Sequence, residues 1–166
     1  MKKIFLIVTF LTTLTMQYSF AQDSTKANQL TALLISYYGI KDALVASDAT
    51  TAAAKAADLV KAIDGTDVKA LSEAGHKAFV AVQDKLKSDA QNIAATNKIE
   101  VQRNSFSPLS NNIYSLAKSA KLTTRPVYQQ YCPMKKMYWL SSEAGIKNPY
   151  YGNMMLTCGK VTDTLK

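Results

Sequence analysis

The sequence predicts a mainly α fold, an antiparallel four-helix bundle closed by a loop-rich C-terminal cap that contains short extended segments. Two observations carry this. Between Asn28 and Ala120 apolar residues recur at steps of three and four, the spacing of one helix face. After Lys121 that stripe gives way to tyrosines, prolines, glycines and methionines. A third observation bounds the fold at its start, where Lys2 and Lys3 precede an apolar run from Ile4 to Leu14 and Ser19-Phe20-Ala21 offers small residues for cleavage, the pattern of a secretory leader. The expected organisation is a signal peptide over residues 1–21 and a single helical domain over 22–166, with the bundle in 28–120 and the cap in 121–166. Export into the periplasm of a double-membraned bacterium is the expected destination, and no stretch after the leader is apolar enough to span a bilayer.

The first helix carries Leu30, Leu33, Leu34, Tyr37, Ile40 and Leu44 on one face. Ser47 and Asp48 supply capping chemistry that restarts the chain, and Ala56, Leu59, Val60 and Ile63 define an alanine-rich second helix that stops at Gly65. A long third helix is expected from Thr66 onward, with Leu71, Ala78, Phe79, Val82, Leu86 and Ile93 along its stripe. Asn97 with Glu100 three positions on has the pattern of a capping box, and Ile99, Phe106, Leu109, Ile113, Leu116 and Ala120 form the seam of a fourth helix. Pro108 predicts a kink or break near Ser105 to Ser107. Short links between four such helices favour up-and-down packing. Beyond the linker at Thr123, Thr124 and Pro126, extended pieces are expected at Val127 to Cys132, Met137 to Leu140 and Gly159 to Thr164, where β-branched and aromatic residues gather.

The chain has 20 basic and 12 acidic residues, a formal charge of +8 that falls by two when Lys2 and Lys3 leave with the leader. The lysines are spread along the chain and the arginines are Arg103 and Arg125 alone, which describes a solvated surface rather than a nucleic-acid face. Arg103 lies at the apolar seam of the fourth helix and must find a carboxylate or the carbonyls of the cap. No Ser-His-Asp set, paired carboxylate motif, Gly-rich phosphate loop or CxxC is present, so a binding protein is expected rather than an enzyme.

The sulfur distribution points to what is bound. Both cysteines and all four methionines outside the leader fall between Cys132 and Cys158, as Cys132-Pro133-Met134-Lys135-Lys136-Met137 and Met154-Met155-Leu156-Thr157-Cys158-Gly159. Thiolates and thioethers are soft donors that select Cu(I), and by chemical similarity Ag(I). If the intervening segment folds back, with Asn148-Pro149-Tyr150-Tyr151-Gly152 as its turn, the two motifs meet around one ion. The proposed ligands are Cys132, Met134, Met155 and Cys158, with Met137, Met154 and His76 as weaker candidates. The competing reading is a Cys132 to Cys158 disulfide that staples the cap of a protein-interaction module; closing that loop stabilises by roughly 3 kcal/mol in the chain-entropy model. Trp139 either covers a bound cation or, the plainer role, anchors the cap in the core.

Tyr38-Gly39-Ile40-Lys41-Asp42-Ala43-Leu44-Val45, Gln102-Arg103 with Phe106 and Leu109-Ser110, Tyr128, Cys132-Pro133-Met134, Trp139-Leu140-Ser141, Ile146-Lys147-Asn148-Pro149-Tyr150 with Gly152, and Met155-Leu156-Thr157-Cys158-Gly159-Lys160-Val161 resemble a bacterial domain of unknown function. That domain occurs alone in exported proteins and at the C-terminal end of some copper and silver efflux adaptor proteins. The resemblance implies a helical domain associated with periplasmic copper handling, a heavy-metal efflux adaptor or another periplasmic metal carrier as partner, and the same four residues, Cys132, Met134, Met155 and Cys158. Similar sequences often carry histidine where this chain has Tyr131, and a histidine near His76.

Overall fold

The computed structural model describes residues 21–122 and 124–166. Residues 1–20, which hold nearly all of the expected leader, lie outside the described residues. The described residues form five α-helices and a small antiparallel sheet: α1 (Ala21–Val45), α2 (Ala49–Asp64), α3 (Glu73–Val80), α4 (Gln83–Ala94), α5 (Ile99–Ala120), then β1 (Val127–Cys132), β2 (Met137–Ser141) and β3 (Lys160–Leu165), with single 3-10 turns at Val68–Ala70 and Gly152–Met154. No helix among the described residues is long and apolar enough to cross a membrane.

The apolar stripe of α1 is buried as its spacing requires, with Leu30, Leu33, Leu34, Tyr37, Ile40 and Leu44 all withdrawn from solvent. Ser47 takes a left-handed backbone, φ 57°, which turns the chain sharply. Asp48 then caps α2, its carboxylate accepting from the Thr51 N–H at 2.9 Å and the Thr51 hydroxyl at 2.7 Å. Ala52 and Ala56 sit on the buried face of α2 with Leu59 and Ile63, small enough to let α2 pack closely on α1.

The long third helix does not form, so the bundle of four is replaced by five helices. Side chains compete for the backbone at both early positions: Asp67 accepts from the Lys69 N–H at 3.1 Å and Ser72 from the Gly75 N–H at 3.1 Å, each starting a new helical turn. At Val82 the backbone leaves the helix again, φ −126° and ψ −8°. The two pieces serve different neighbours, α3 packing on α5 and α4 lying against both α2 and α5, which one straight helix could not do.

Two expectations for α5 also change. Its N-cap is Lys98, which makes no side-chain cap, and Glu100 is drawn to Arg103 instead of forming a capping box with Asn97. Pro108 does not break the helix, which runs through to Ala120. Asn104, whose carbonyl loses its partner to the proline, is exposed together with Pro108, so the lost bond falls on the solvent side of the helix rather than in the core.

The expected extended pieces all appear as strands, in the order β2-β1-β3 with β1 central. β1 pairs with β2 from Tyr128 opposite Ser141 to Cys132 opposite Met137. It pairs with β3 from Val127 opposite Leu165 to Tyr131 opposite Lys160, with a bulge between Gln129 and Gln130. An aromatic ladder joins cap to helices: Tyr37 stacks on Phe106 at 5.0 Å, Phe106 meets Tyr150 at 6.0 Å, and Tyr150 meets Trp139 edge-on at 6.0 Å. Trp139 is fully buried, the anchoring role expected of it.

A hydrogen-bond relay runs through the same core. The Leu140 N–H donates to the Tyr37 hydroxyl at 2.9 Å, that hydroxyl meets Ser110 Oγ at 2.8 Å, and the Ser110 hydroxyl donates to the Phe106 carbonyl at 2.8 Å. Burial, and then the nearby Tyr150, push the Tyr37 phenol well above its ordinary pKa against the opposing pull of its hydrogen bonds with Ser110 and Leu140, so it stays a neutral donor. Tyr37→Phe leaves the Leu140 N–H buried without an acceptor. It is expected to lower unfolding free energy by about 1–3 kcal/mol, measured as a shift of the urea midpoint at unchanged slope.

Candidate metal centre

Cys132 ends β1, fully buried, because the pleat turns its side chain inward. Directly opposite across the hairpin stands Met137, half-buried against the core; paired residues of an antiparallel ladder project to the same face. The hairpin turn between them runs through Pro133 and ends at Lys136 in the left-handed region, φ 56°. Met134 rides on that turn, 64% exposed.

The other thiol comes back through a loop clamped by Asn148, itself completely buried. Its N–H donates to the Leu156 carbonyl at 2.8 Å, its side-chain amide donates to the Cys158 carbonyl at 2.7 Å, and its side-chain oxygen accepts from the Tyr150 N–H at 2.8 Å. The Cys158 N–H then donates to the Met155 carbonyl at 3.1 Å, so these two sulfur residues bracket one turn. Gly159 follows where a side chain has no room: a Cβ there would stand 2.8 Å from Trp139 Cη2 and 3.0 Å from the Tyr131 carbonyl. The result is contact between the two thiols, Cys158 sharing a side-chain hydrogen bond with Cys132.

Partial burial, and then the neighbouring Cys132, push the Cys158 thiol above its ordinary pKa. It is therefore held protonated at neutral pH, the opposite of what an attacking thiolate needs. Both cysteines are free thiols, Cys132 buried and Cys158 half-buried. Among the described residues no group of three or more His, Cys, Asp and Glu is assembled anywhere, so any ion held here relies on two thiols supplemented by thioethers.

The remaining candidates divide. Met155 is half-buried one turn before Cys158, whereas Met154 projects into solvent at 74% exposure. His76 is exposed on α3, and its neighbour Gly75 packs against Leu30, where an added Cβ would stand 3.3 Å from Leu30 Cδ1. The cap instead rests on Leu44, roughly 20 Å farther along α1 at 1.5 Å per residue. The structure thus brings Cys158 to Cys132, sets Met137 opposite Cys132 in the ladder and Met155 one turn before Cys158, leaves Met134 and Met154 exposed to solvent, and places His76 elsewhere.

Arg103 fastens this loop to the helices. Only 3% exposed, its guanidinium donates to the Pro149 carbonyl at 2.9 Å, the Leu44 carbonyl at 3.3 Å, Ser47 Oγ at 2.9 Å and Glu100 Oε1 at 2.7 Å. Both partner types expected for it, a carboxylate and carbonyls of the cap, are present. Gly152, φ 56°, presses on the same cluster, and a Cβ there would lie 2.6 Å from Ser47 Oγ and 2.9 Å from both Arg103 Nη2 and the Val45 carbonyl. Asn148 was not singled out on sequence as part of the site; the only signal was its place before Pro149 in a turn-rich stretch.

Residues 33–125 match a family described as protein of unknown function, DUF3347. The chain belongs to that family. No curated protein and no solved structure matches it. The DUF3347 match takes in Tyr37, Arg103 and Ser110, helix residues that receive the cap, and ends two residues before β1, so the thiol pair of this DUF3347 protein lies beyond the matched residues.

Two substitutions test how the loop is held. Arg103→Met strands the Leu44 and Pro149 carbonyls in the interior and is expected to cost about 3 kcal/mol, with amide exchange accelerated most over residues 148–158; Arg103→Lys does not restore it, because an ammonium lacks the planar fork of donors. Gly152→Ala forces a side chain into a left-handed position against fixed backbone and is expected to cost at least about 2 kcal/mol, read in the same denaturant titration.

Proposed function

We propose that this chain is an exported binding protein for a soft monovalent ion, Cu(I) or Ag(I), acting in periplasmic metal buffering or in delivery to a heavy-metal efflux system. The observation that carries the reading is the contact between Cys132 and Cys158, residues far apart in sequence that folding brings to one place among methionines. Cys132 and Cys158 serve as thiolates. Met137 and Met155 are the thioethers best placed to complete the ion's shell, and Met134 and Met154 stand at the surface where an arriving ion is first met. The resemblance to domains found alone in exported proteins and at the end of copper and silver efflux adaptors supports the same chemistry. A Cys158 thiol whose pKa is raised favours binding over thiol catalysis, since an attacking thiolate needs the opposite shift.

The same contact supports a second reading, a disulfide that staples the cap of an interaction module, since thiols that share a proton are close enough to be joined by modest rotation. Mass measurement of the protein isolated without reductant, with and without alkylation, separates a stapled cap from two free thiols.

Anaerobic titration with Cu(I) against a competing chelator tests the metal reading. Cys132→Ser and Cys158→Ser are each expected to weaken binding at least roughly 100-fold, the upper end of what loss of a mere outer-shell partner costs. Equal affinity in the wild type and both variants ends the proposal. The pH dependence has a definite sign: the ion must displace the proton that the raised pKa holds on Cys158, so affinity climbs as pH rises toward and past the ordinary cysteine range, by up to about tenfold per pH unit for each proton released.

A further inference from the structure

Among the described residues four buried side-chain polar atoms have no hydrogen-bond partner, and two of them, Trp139 Nε1 and Gln130 Oε1, belong to residues directly opposite each other in the β1–β2 ladder. Both residues are 0% exposed. The next pair on the same face of that ladder is Cys132 and Met137, because alternate residues of a strand share a face. Trp139 is therefore the diagonal neighbour of Cys132 across the hairpin, a spacing within reach of an aromatic side chain. Its ring also touches the turn of the other thiol: a Cβ on Gly159, the residue after Cys158, would stand 2.8 Å from Trp139 Cη2. An indole has one polar atom, and that atom can only donate. Here the donor is buried one row from Cys132 without an acceptor.

Loading the thiol pair creates an acceptor there. Two thiols give their protons to solvent, two sulfur–metal bonds form, and the site passes from neutral to singly negative, since two thiolates face one monovalent cation. Water can hydrate the half-buried Cys158 sulfur, but Cys132 is fully buried, and charge left there without donors is costly. Two other buried donors near Cys132 are already committed. The Tyr150 hydroxyl donates to the Tyr138 carbonyl, and the Gln130 side-chain amide donates to the carbonyls of Glu143, Ala144 and Gly145 at 3.0, 3.3 and 3.2 Å. We propose that the indole N–H of Trp139 donates to the Cys132 thiolate of the ion-loaded pair, which makes Trp139 a positioning residue of the soft-ion site as well as an anchor of the cap. This inference rests on the soft-metal reading. A hydrogen bond to a ligating sulfur orients it and tunes its hold on the ion. The ion-free fold carries the cost of an unmade bond, and loading removes it.

Trp139 is the one tryptophan of the chain, so its indole N–H gives a single proton–nitrogen resonance. Ag(I), a closed-shell ion, is titrated into the reduced, ion-free protein, and uptake is followed separately by competition with a chelator. The indole resonance is expected to move downfield and its exchange with water to slow, both in step with uptake. Replacing tryptophan throughout by benzothienylalanine, which puts sulfur in place of the N–H at nearly unchanged shape, is expected to weaken Ag(I) binding roughly tenfold or more. The urea midpoint of the ion-free protein is expected to stay in place or rise, because the N–H it loses has no partner there. Uptake with an unmoved indole resonance, as an indole bridged to Gln130 Oε1 gives, overturns the proposal and leaves the soft-metal reading standing. Equal ion affinity in the benzothienyl protein does the same. No uptake by the unmodified protein overturns both.

Discussion

One buried guanidinium holds the two parts of this molecule in register. Arg103 projects from α5 into a place where three segments converge: the C-terminal end of α1 at Leu44, the left-handed turn at Ser47, and the cap loop at Pro149. A charge this deep is tolerated only because every direction it faces offers an acceptor. Its ion pair with Glu100 adds little by itself, since Glu100 is 58% exposed and water screens the pair. The carbonyls matter more. They belong to backbone segments that end or reverse at that point, so the guanidinium caps the end of α1 and pins the loop that carries Cys158 in a single act.

From that anchor the thiol contact follows geometrically. Asn148 sits immediately before the pinned Pro149 and distributes its hydrogen bonds to Leu156, Cys158 and Tyr150, which turns a stretch of tyrosines and glycines into a defined return path. The hairpin approaches from the other side with Cys132 at the last ladder pair and is fixed to the helices by the Tyr37 relay. Two independent supports therefore converge on one pair of sulfur atoms. The Tyr150 hydroxyl, donating to the Tyr138 carbonyl at 2.5 Å, ties the two supports together.

The chemistry of the pair depends on the asymmetry of its setting. Cys132 lies behind the sheet and Cys158 at its edge, so solvent, an oxidant or a metal carrier meets Cys158 first. Raising the Cys158 pKa suits a site that exchanges a proton for a soft cation, because the thiol is unreactive when empty and becomes a strong ligand only once the proton leaves. The same proximity makes a disulfide accessible.

The sequence by itself determined the helical stripe of α1, the Asp48 cap, the three strands and the concentration of sulfur in the cap, because each is a local pattern: a periodicity, a capping side chain, a run of β-branched and aromatic residues. It also required that Arg103 be satisfied, though not by what. The Glu100 pairing that replaces the capping box is likewise local, three positions apart on one helix. Two things only the tertiary structure decided: the expected third helix became a 3-10 turn, α3 and α4, since its pieces must face different neighbours, and Pro108 was absorbed because it and Asn104 lie on the exposed side of α5. The thiol contact, Met137 set opposite Cys132 and the placement of His76 at the far end of α1 are of the same kind, for they depend on strand register and on the path of a loop held by Arg103 and Asn148, quantities set by long-range packing that no spacing along the chain encodes.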